Sequence, residues 1–82
     1  MAFEMRMGRL SQGTDYGVVT NWLKQEGDSV QVGEPLLEIE VDKAVITLPA
    51  PVGGVLSEIA AEIDDEVAID GLLAVIDESA SA

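Results

Sequence analysis

The stretch Glu38-Ile39-Glu40-Val41-Asp42-Lys43-Ala44-Val45-Ile46-Thr47-Leu48 decides how this chain folds. Leading in, Leu37, Ile39 and Val41 fall on one face and Glu38, Glu40 and Asp42 on the other. Leading out, Val45 and Thr47 alternate with Ile46 and Leu48. A side-chain period of two with this β-branched content marks a half-buried strand. Two such runs separated only by an Asp-Lys step predict a hairpin with Lys43 at its tip. Between Lys24 and the last residue, Lys43 is the only lysine or arginine.

Outward from that hairpin the chain reads as further short strands. Phe3, Met5 and Met7 alternate with Glu4 and Arg6, which predicts a first strand within Met1 to Leu10. Ser11 to Gly17 is rich in turn formers and reads as a loop. Val18 to Gln25 resumes a strand, with Val19 and Leu23 on one face and Val18 and Trp22 on the other. A turn at Glu26-Gly27-Asp28-Ser29 leads to a short strand through Val30 and Val32, closed by Gly33-Glu34-Pro35. Pro49-Ala50-Pro51 ends the central hairpin, and Val52-Gly53-Gly54 is a second loop.

The segment Val55 to Ile63 is ambiguous, since Val55, Leu56, Ile59, Ala60 and Ile63 fit a helix face nearly as well as a strand. An internal repeat resolves it. Gly17-Val18-Val19-Thr20 aligns with Gly54-Val55-Leu56-Ser57 at a spacing of 37 residues. The same spacing sets Asp28 on Asp65, Val30 on Val67, Val32 on Ile69, Leu36 on Leu73 and Ile39 on Ile76. A repeat of this period means two copies of one supersecondary unit, so Val55–Glu62 is expected to be a strand like Val18–Gln25. The fold class that follows is all-β: a flattened barrel or sandwich of two four-stranded sheets with an internal quasi-two-fold repeat, read as two β-meander units packed face to face. By this symmetry the Lys43 hairpin and the chain termini belong to opposite ends. Residues 1–78 form the domain, and Ser79-Ala80-Ser81-Ala82 reads as the start of a flexible linker.

Composition narrows the function. The chain has 82 residues, and a domain of this size buries only roughly 60–65% of its unfolded surface, too little for a deep active-site cleft. It contains neither cysteine nor histidine, which excludes the usual zinc sites and every Cys/His or Ser/His pair. Sixteen acidic residues against four basic ones give a net charge of -12. Nucleic acid and anionic membranes are therefore poor partners, since both need clustered Lys and Arg. The charge favours a soluble, self-repelling monomer, with attraction to basic surfaces of larger partners as the sharper alternative. No apolar run approaches the ~20 residues of a membrane span, and no signal peptide is evident, so a cytoplasmic setting is the expectation.

Three candidate sites give way to ordinary readings. Ala68 breaks the alternation of oxygen ligands that would make Asp64-Asp65-Glu66 a calcium loop. Gly53-Gly54 lacks the helix and basic residue of a phosphate cradle. Glu38 and Glu40 sit two apart on an exposed strand face, a charged surface rather than an acid-base pair. Lys43 stands apart. A catalytic amine has to be desolvated, and a turn beside Asp42 does not do that. A hairpin tip does offer a modifying enzyme an exposed amine on a rigid scaffold.

At these residues the sequence resembles a known family. Val41-Asp42-Lys43-Ala44 is similar to the Asp-Lys-Ala motif of lipoyl domains in the acyltransferase component of 2-oxo acid dehydrogenase complexes. Trp22-Leu23-Lys24, Gly27-Asp28-x-Val30, Pro49-Ala50-Pro51, Gly54-Val55-Leu56 and Leu73-Ala74-Val75-Ile76 support the match, which covers residues 4 to 78. The resemblance implies a carrier without catalysis of its own, with lipoic acid in amide linkage to Lys43. It implies as partners a thiamine-diphosphate 2-oxo acid decarboxylase, the acyltransferase core, dihydrolipoamide dehydrogenase, and a lipoate ligase or lipoyl transferase. It also implies recognition roles for Glu40, Asp42, Ala44 and the Ser11–Gly17 loop, Thr14 and Asp15 included. In a eukaryote it would imply the mitochondrial matrix. The chain departs from the family near its start, with Met7-Gly8-Arg9-Leu10 and Thr14-Asp15-Tyr16-Gly17 where relatives often carry Pro-x-Leu-Gly or Thr-Glu-Gly. Asp-Lys-Ala leans toward a pyruvate or branched-chain complex. The alternatives are a biotin carrier, whose motif flanks the lysine with methionines, a longer glycine-cleavage carrier, and an unmodified interaction module.

Overall fold

The computed structural model describes residues 2–8 and 15–78. Every element in it is a strand: β1 (Ala2–Arg6), β2 (Tyr16–Trp22), β3 (Ser29–Val30), β4 (Pro35–Val41), β5 (Ala44–Pro49), β6 (Gly54–Ile59), β7 (Glu66–Ala68) and β8 (Leu72–Asp77). They form two four-stranded sheets, in the orders β5-β4-β2-β7 and β1-β8-β6-β3. All pairings are antiparallel. Between the sheets lies an aliphatic core in which Val19, Leu36, Leu37, Ile39, Leu56, Leu73, Ala74 and Ile76 lose all contact with solvent. The side chains of Met5 and Met7 join that core, and Phe3, Trp22 and Ile59 pack against it.

The repeat extends into backbone detail. β2 carries an extra residue between Val19 (opposite Ile39) and Asn21 (opposite Glu38), and β6 carries one between Leu56 (opposite Ile76) and Glu58 (opposite Val75). In each bulge a hydroxyl satisfies the partner strand. Thr20 Oγ1 donates to the Glu38 carbonyl at 3.1 Å, and Ser57 Oγ donates to the Val75 carbonyl at 3.0 Å. The following turns match as well: the Gln25 and Glu62 amides each donate to an aspartate Oδ2, of Asp28 and Asp65, at 2.9 Å. The repeat also settles the ambiguous segment, where β6 is a strand, although it ends at Ile59 and not at Glu62.

Several expectations need correction. The two sequence copies do not make one meander each. β3 leaves the first copy to pair with β6, and β7 leaves the second to pair with β2, so the copies interlace. The cause is visible in the turns that follow β2 and β6, where the Asp28 carbonyl accepts the Leu56 amide and the Asp65 carbonyl accepts the Val19 amide, each across to the other copy. Second, β2 begins at Tyr16, because Tyr16 and Gly17 pair with Ala68 and Val67. Third, the Thr20 bulge shifts the alternation by one residue. Trp22 therefore turns toward the core, where its Nε1 donates to the Ala61 carbonyl at 2.7 Å, and Leu23 is exposed. β3 is also shorter than expected and stops at Val30, leaving Val32 exposed.

The pseudo-dyad exchanges β4 with β8 and β5 with β1. It thereby carries the Lys43 turn onto the far ends of β1 and β8, where Ala2 pairs with Asp77. The expected linker, residues 79–82, lies outside the described residues.

Candidate functional site

The β4–β5 ladder runs without a break from Leu37 opposite Leu48 to Val41 opposite Ala44. Only Asp42 and Lys43 are left to turn the chain, with φ of 50° and 66°. Two central residues at positive φ define a type I′ turn, whose twist matches that of the strands it joins. Aspartate tolerates the left-handed region, but lysine does so only against steric resistance, and the favoured second residue is glycine. Lys43 is thus held where backbone preference disfavours it.

The turn is rooted in the core. Val41 is buried, and Gly17 on β2 lies so close beneath it that an added Cβ would stand 2.5 Å from Ile39 Cγ2 and 3.3 Å from Val41 Cγ2. Beyond Val41 the chain emerges, and Asp42, Lys43 and Ala44 are all exposed. The ion pairs among the described residues are Arg6 with Glu4 and Lys24 with Glu34, and Lys43 takes part in neither. The result is a primary amine at the end of a stiff two-stranded support.

The implied recognition residues fall around it. Glu40 is exposed on the outer surface, flanked across the ladders by Val45 on β5 and Val18 on β2. The register of β2 with β4 runs on from Val18 opposite Glu40 toward the turn, which brings Tyr16 and Asp15 to its level. Asp15 is exposed, and its carbonyl accepts the Ile69 amide at 3.0 Å. Thr14 lies outside the described residues. Two exposed apolar residues near the turn, Tyr16 and Val45, were not singled out by the sequence reading. Their signal was their parity, since Tyr16 shares a face with Val18 and Val45 with Thr47.

Far from the turn, Glu34 accepts the Gln31 amide at 3.1 Å and pairs with Lys24 Nζ at 3.2 Å. The backbone donor first and the lysine second hold its carboxyl below the ordinary glutamate value. That pair braces the start of β4 and has no part in the amine's setting.

Comparison with known proteins agrees with this geometry. The Biotin_lipoyl family model, described as "Biotin-requiring enzyme", matches residues 3–76. The dihydrolipoyllysine-residue acetyltransferase component of the pyruvate dehydrogenase complex of Corynebacterium glutamicum is 47% identical over 76 residues, 93% of this chain and 11% of that protein. The dihydrolipoyllysine-residue succinyltransferase component of the 2-oxoglutarate dehydrogenase complex of Bartonella vinsonii subsp. berkhoffii is 35% identical over 82 residues, 20% of its length. The chain thus spans a fifth or less of either relative. Among solved structures, the lipoyl domain of the 2-oxoglutarate dehydrogenase complex from Azotobacter vinelandii superposes with a TM-score of 0.76 at 29% identity, covering 92% of this chain and 95% of that domain. An all-β double sheet with a lysine at the tip of a two-residue turn, similar over nearly its whole length to a lipoyl domain, this chain belongs to the Biotin_lipoyl family.

Proposed function

We propose that Lys43 is the attachment lysine, and that the domain carries a lipoyl group between the enzymes of a 2-oxo acid dehydrogenase complex. The observation that supports this most directly is the placement of Lys43: exposed, without an ionic partner and at the tip of a type I′ turn. In the modification itself the Lys43 amine attacks the carboxyl carbon of ATP-activated lipoate. A C–N bond forms, the C–O bond to AMP breaks, AMP leaves, and the amine proton passes to solvent. When bound, the group supplies a disulfide that accepts an acyl group with two electrons and later gives both up. The chain's own part is positional. Its core-anchored ladder fixes the root of the arm, and its exposed turn keeps the arm clear of the domain.

The partners in this reading are a thiamine-diphosphate decarboxylase, the acyltransferase core, dihydrolipoamide dehydrogenase, and a lipoate ligase or lipoyl transferase. Glu40, Asp42 and Ala44, with Thr14 and Asp15, contribute to recognition. The higher identity to the pyruvate-complex relative, 47% against 35%, favours a pyruvate complex. The compartment proposed is the cytoplasm.

Intact mass after co-expression with a lipoate ligase and free lipoate tests the reading. Wild type is expected to gain one lipoyl group and Lys43→Arg none. A biotin-sized gain with biotin ligase in place of the lipoyl gain would move the domain to the carboxylases. No gain with either enzyme would overturn the carrier reading.

A further inference from the structure

Each sheet ends in two edge strands: β5 and β7 in one, β1 and β3 in the other. A free edge offers unpaired N–H and C=O groups, and proteins usually blunt it with charge, a bulge, proline or brevity. Three of these edges are blunted so. β3 has two residues, β7 has three and includes Glu66, and β1 carries Glu4 and Arg6 and breaks register between Met5 and Arg6. β5 is different. It runs Ala44-Val45-Ile46-Thr47-Leu48-Pro49 with no charge; its proline and its register shift lie at the end far from the turn, and its ladder with β4 is regular from Ala44 to Leu48. β1 is its pseudo-dyad mate, so the same place in the fold is protected in one copy and bare in the other.

The register says which groups are free. In a two-residue hairpin the closing pair, Val41 and Ala44, exchanges both hydrogen bonds, and the next pair, Glu40 and Val45, exchanges none. Val45 and Thr47 therefore direct their N–H and C=O groups away from β4. Among the described residues, no backbone bond joins residues 44–48 to anything outside that ladder. Val45 is also 57% exposed. A second copy is a poor occupant, because Glu40 and Glu38 stand opposite Val45 and Thr47 in the ladder and each chain carries a net charge of -12.

We propose that β5 is a strand-addition edge for the enzyme that attaches the lipoyl group, taking an extended segment whose basic side chains reach Glu38 and Glu40. This rests on the carrier reading. The bare lysine has only its own side chain's reach, so the enzyme that acylates it has to seat on residues adjoining the turn. Val45 is two residues away. Later partners meet a longer arm and can stand off.

The test uses the 82-residue chain with a lipoate ligase, lipoate and ATP. Val45→Pro removes one outward N–H and leaves the β4 ladder its donors. It is expected to lower the ligase's kcat/KM about tenfold, the size of one lost hydrogen bond, while Val45→Thr stays within about twofold. Hydrogen exchange on the Lys43→Arg chain bound to the ligase gives a second readout that needs no proline. The Val45 and Thr47 amides are expected to gain protection there. Unchanged exchange at both amides overturns the proposal whatever the proline variant does, and so does an equal rate for a Val45→Pro chain that retains wild-type Trp22 fluorescence. Concentration-dependent dimerisation lost in Val45→Pro would give the edge to a second copy and overturn it too. Failure of wild type to be lipoylated at all would remove the carrier reading instead.

Discussion

Lys43→Gly should make the domain more stable and, under the carrier proposal, abolish its modification. Lys43 holds φ at 66° with no ion pair in compensation. An L-residue in the left-handed region costs about 1–2 kcal/mol relative to glycine's freedom there. Glycine gives back about 0.5–1 kcal/mol through the larger entropy of its unfolded chain. The net gain is about 0.5–1 kcal/mol, and at about 4–8 °C per kcal/mol for a domain of this size the midpoint should rise by a few degrees. Lys43→Ala is the control. It keeps the Cβ and its steric cost, so it should unfold within about 0.5 kcal/mol of wild type. Thermal unfolding followed by the fluorescence of Trp22, the single tryptophan, gives both values. A Lys43→Gly midpoint no higher than that of Lys43→Ala would refute the reasoning, because strain at the tip would then not limit stability. The expected result means the lysine is kept against the preference of its own turn, as a residue serving chemistry outside the fold would be.

Further expectations follow from the core and the bulges. Gly17→Ala drives a methyl into Ile39 and the Met7 methyl group, and should cost about 1–3 kcal/mol by urea denaturation. Thr20→Val removes the hydroxyl that serves the Glu38 carbonyl, and should cost about 1 kcal/mol in the same assay, with Ser57→Ala as its dyad-related partner. Glu34 is held below the ordinary glutamate value, so its contribution is full above the unfolded-state value and disappears as pH falls through the folded one. Thermal melts should therefore show wild type losing more stability than Glu34→Gln between about pH 5 and about pH 3.

Where a residue's neighbours in sequence determined its face, the fold was legible. Alternation on both sides of Asp42-Lys43 located the hairpin and its tip, and the 37-residue spacing turned an ambiguous apolar run into β6. The bulges were not legible. A Thr and a Ser in strands are ordinary, and their role as hydroxyl donors to Glu38 and Val75 exists only once the partner strands are in place. Missing the Thr20 bulge misplaced Trp22 and Leu23, because a single extra residue inverts the alternation after it. The interlacing of the sheets escaped for a related reason, since nothing local marks Val30 and Val67 as belonging to the opposite copy's sheet. At the site, Lys43 was legible because a charge on a tight turn is conspicuous. Tyr16 was not, because its turn-forming neighbours hid the start of β2.

The exchange of β3 and β7 between the copies governs how the domain comes apart. β3 edges the sheet that holds β6 and β8, and β7 edges the sheet of β2, β4 and β5, like two hands with fingers crossed. Withdrawing either half strips an edge from both sheets and uncovers Val30 or Val67, and with it the shared interior. No half-open form keeps its apolar residues covered, so unfolding should be all-or-none. Under the proposed carrier role, a domain handled at one tip by successive large enzymes would thereby be either whole or lost, and a tug on the hairpin would find no partial opening to exploit.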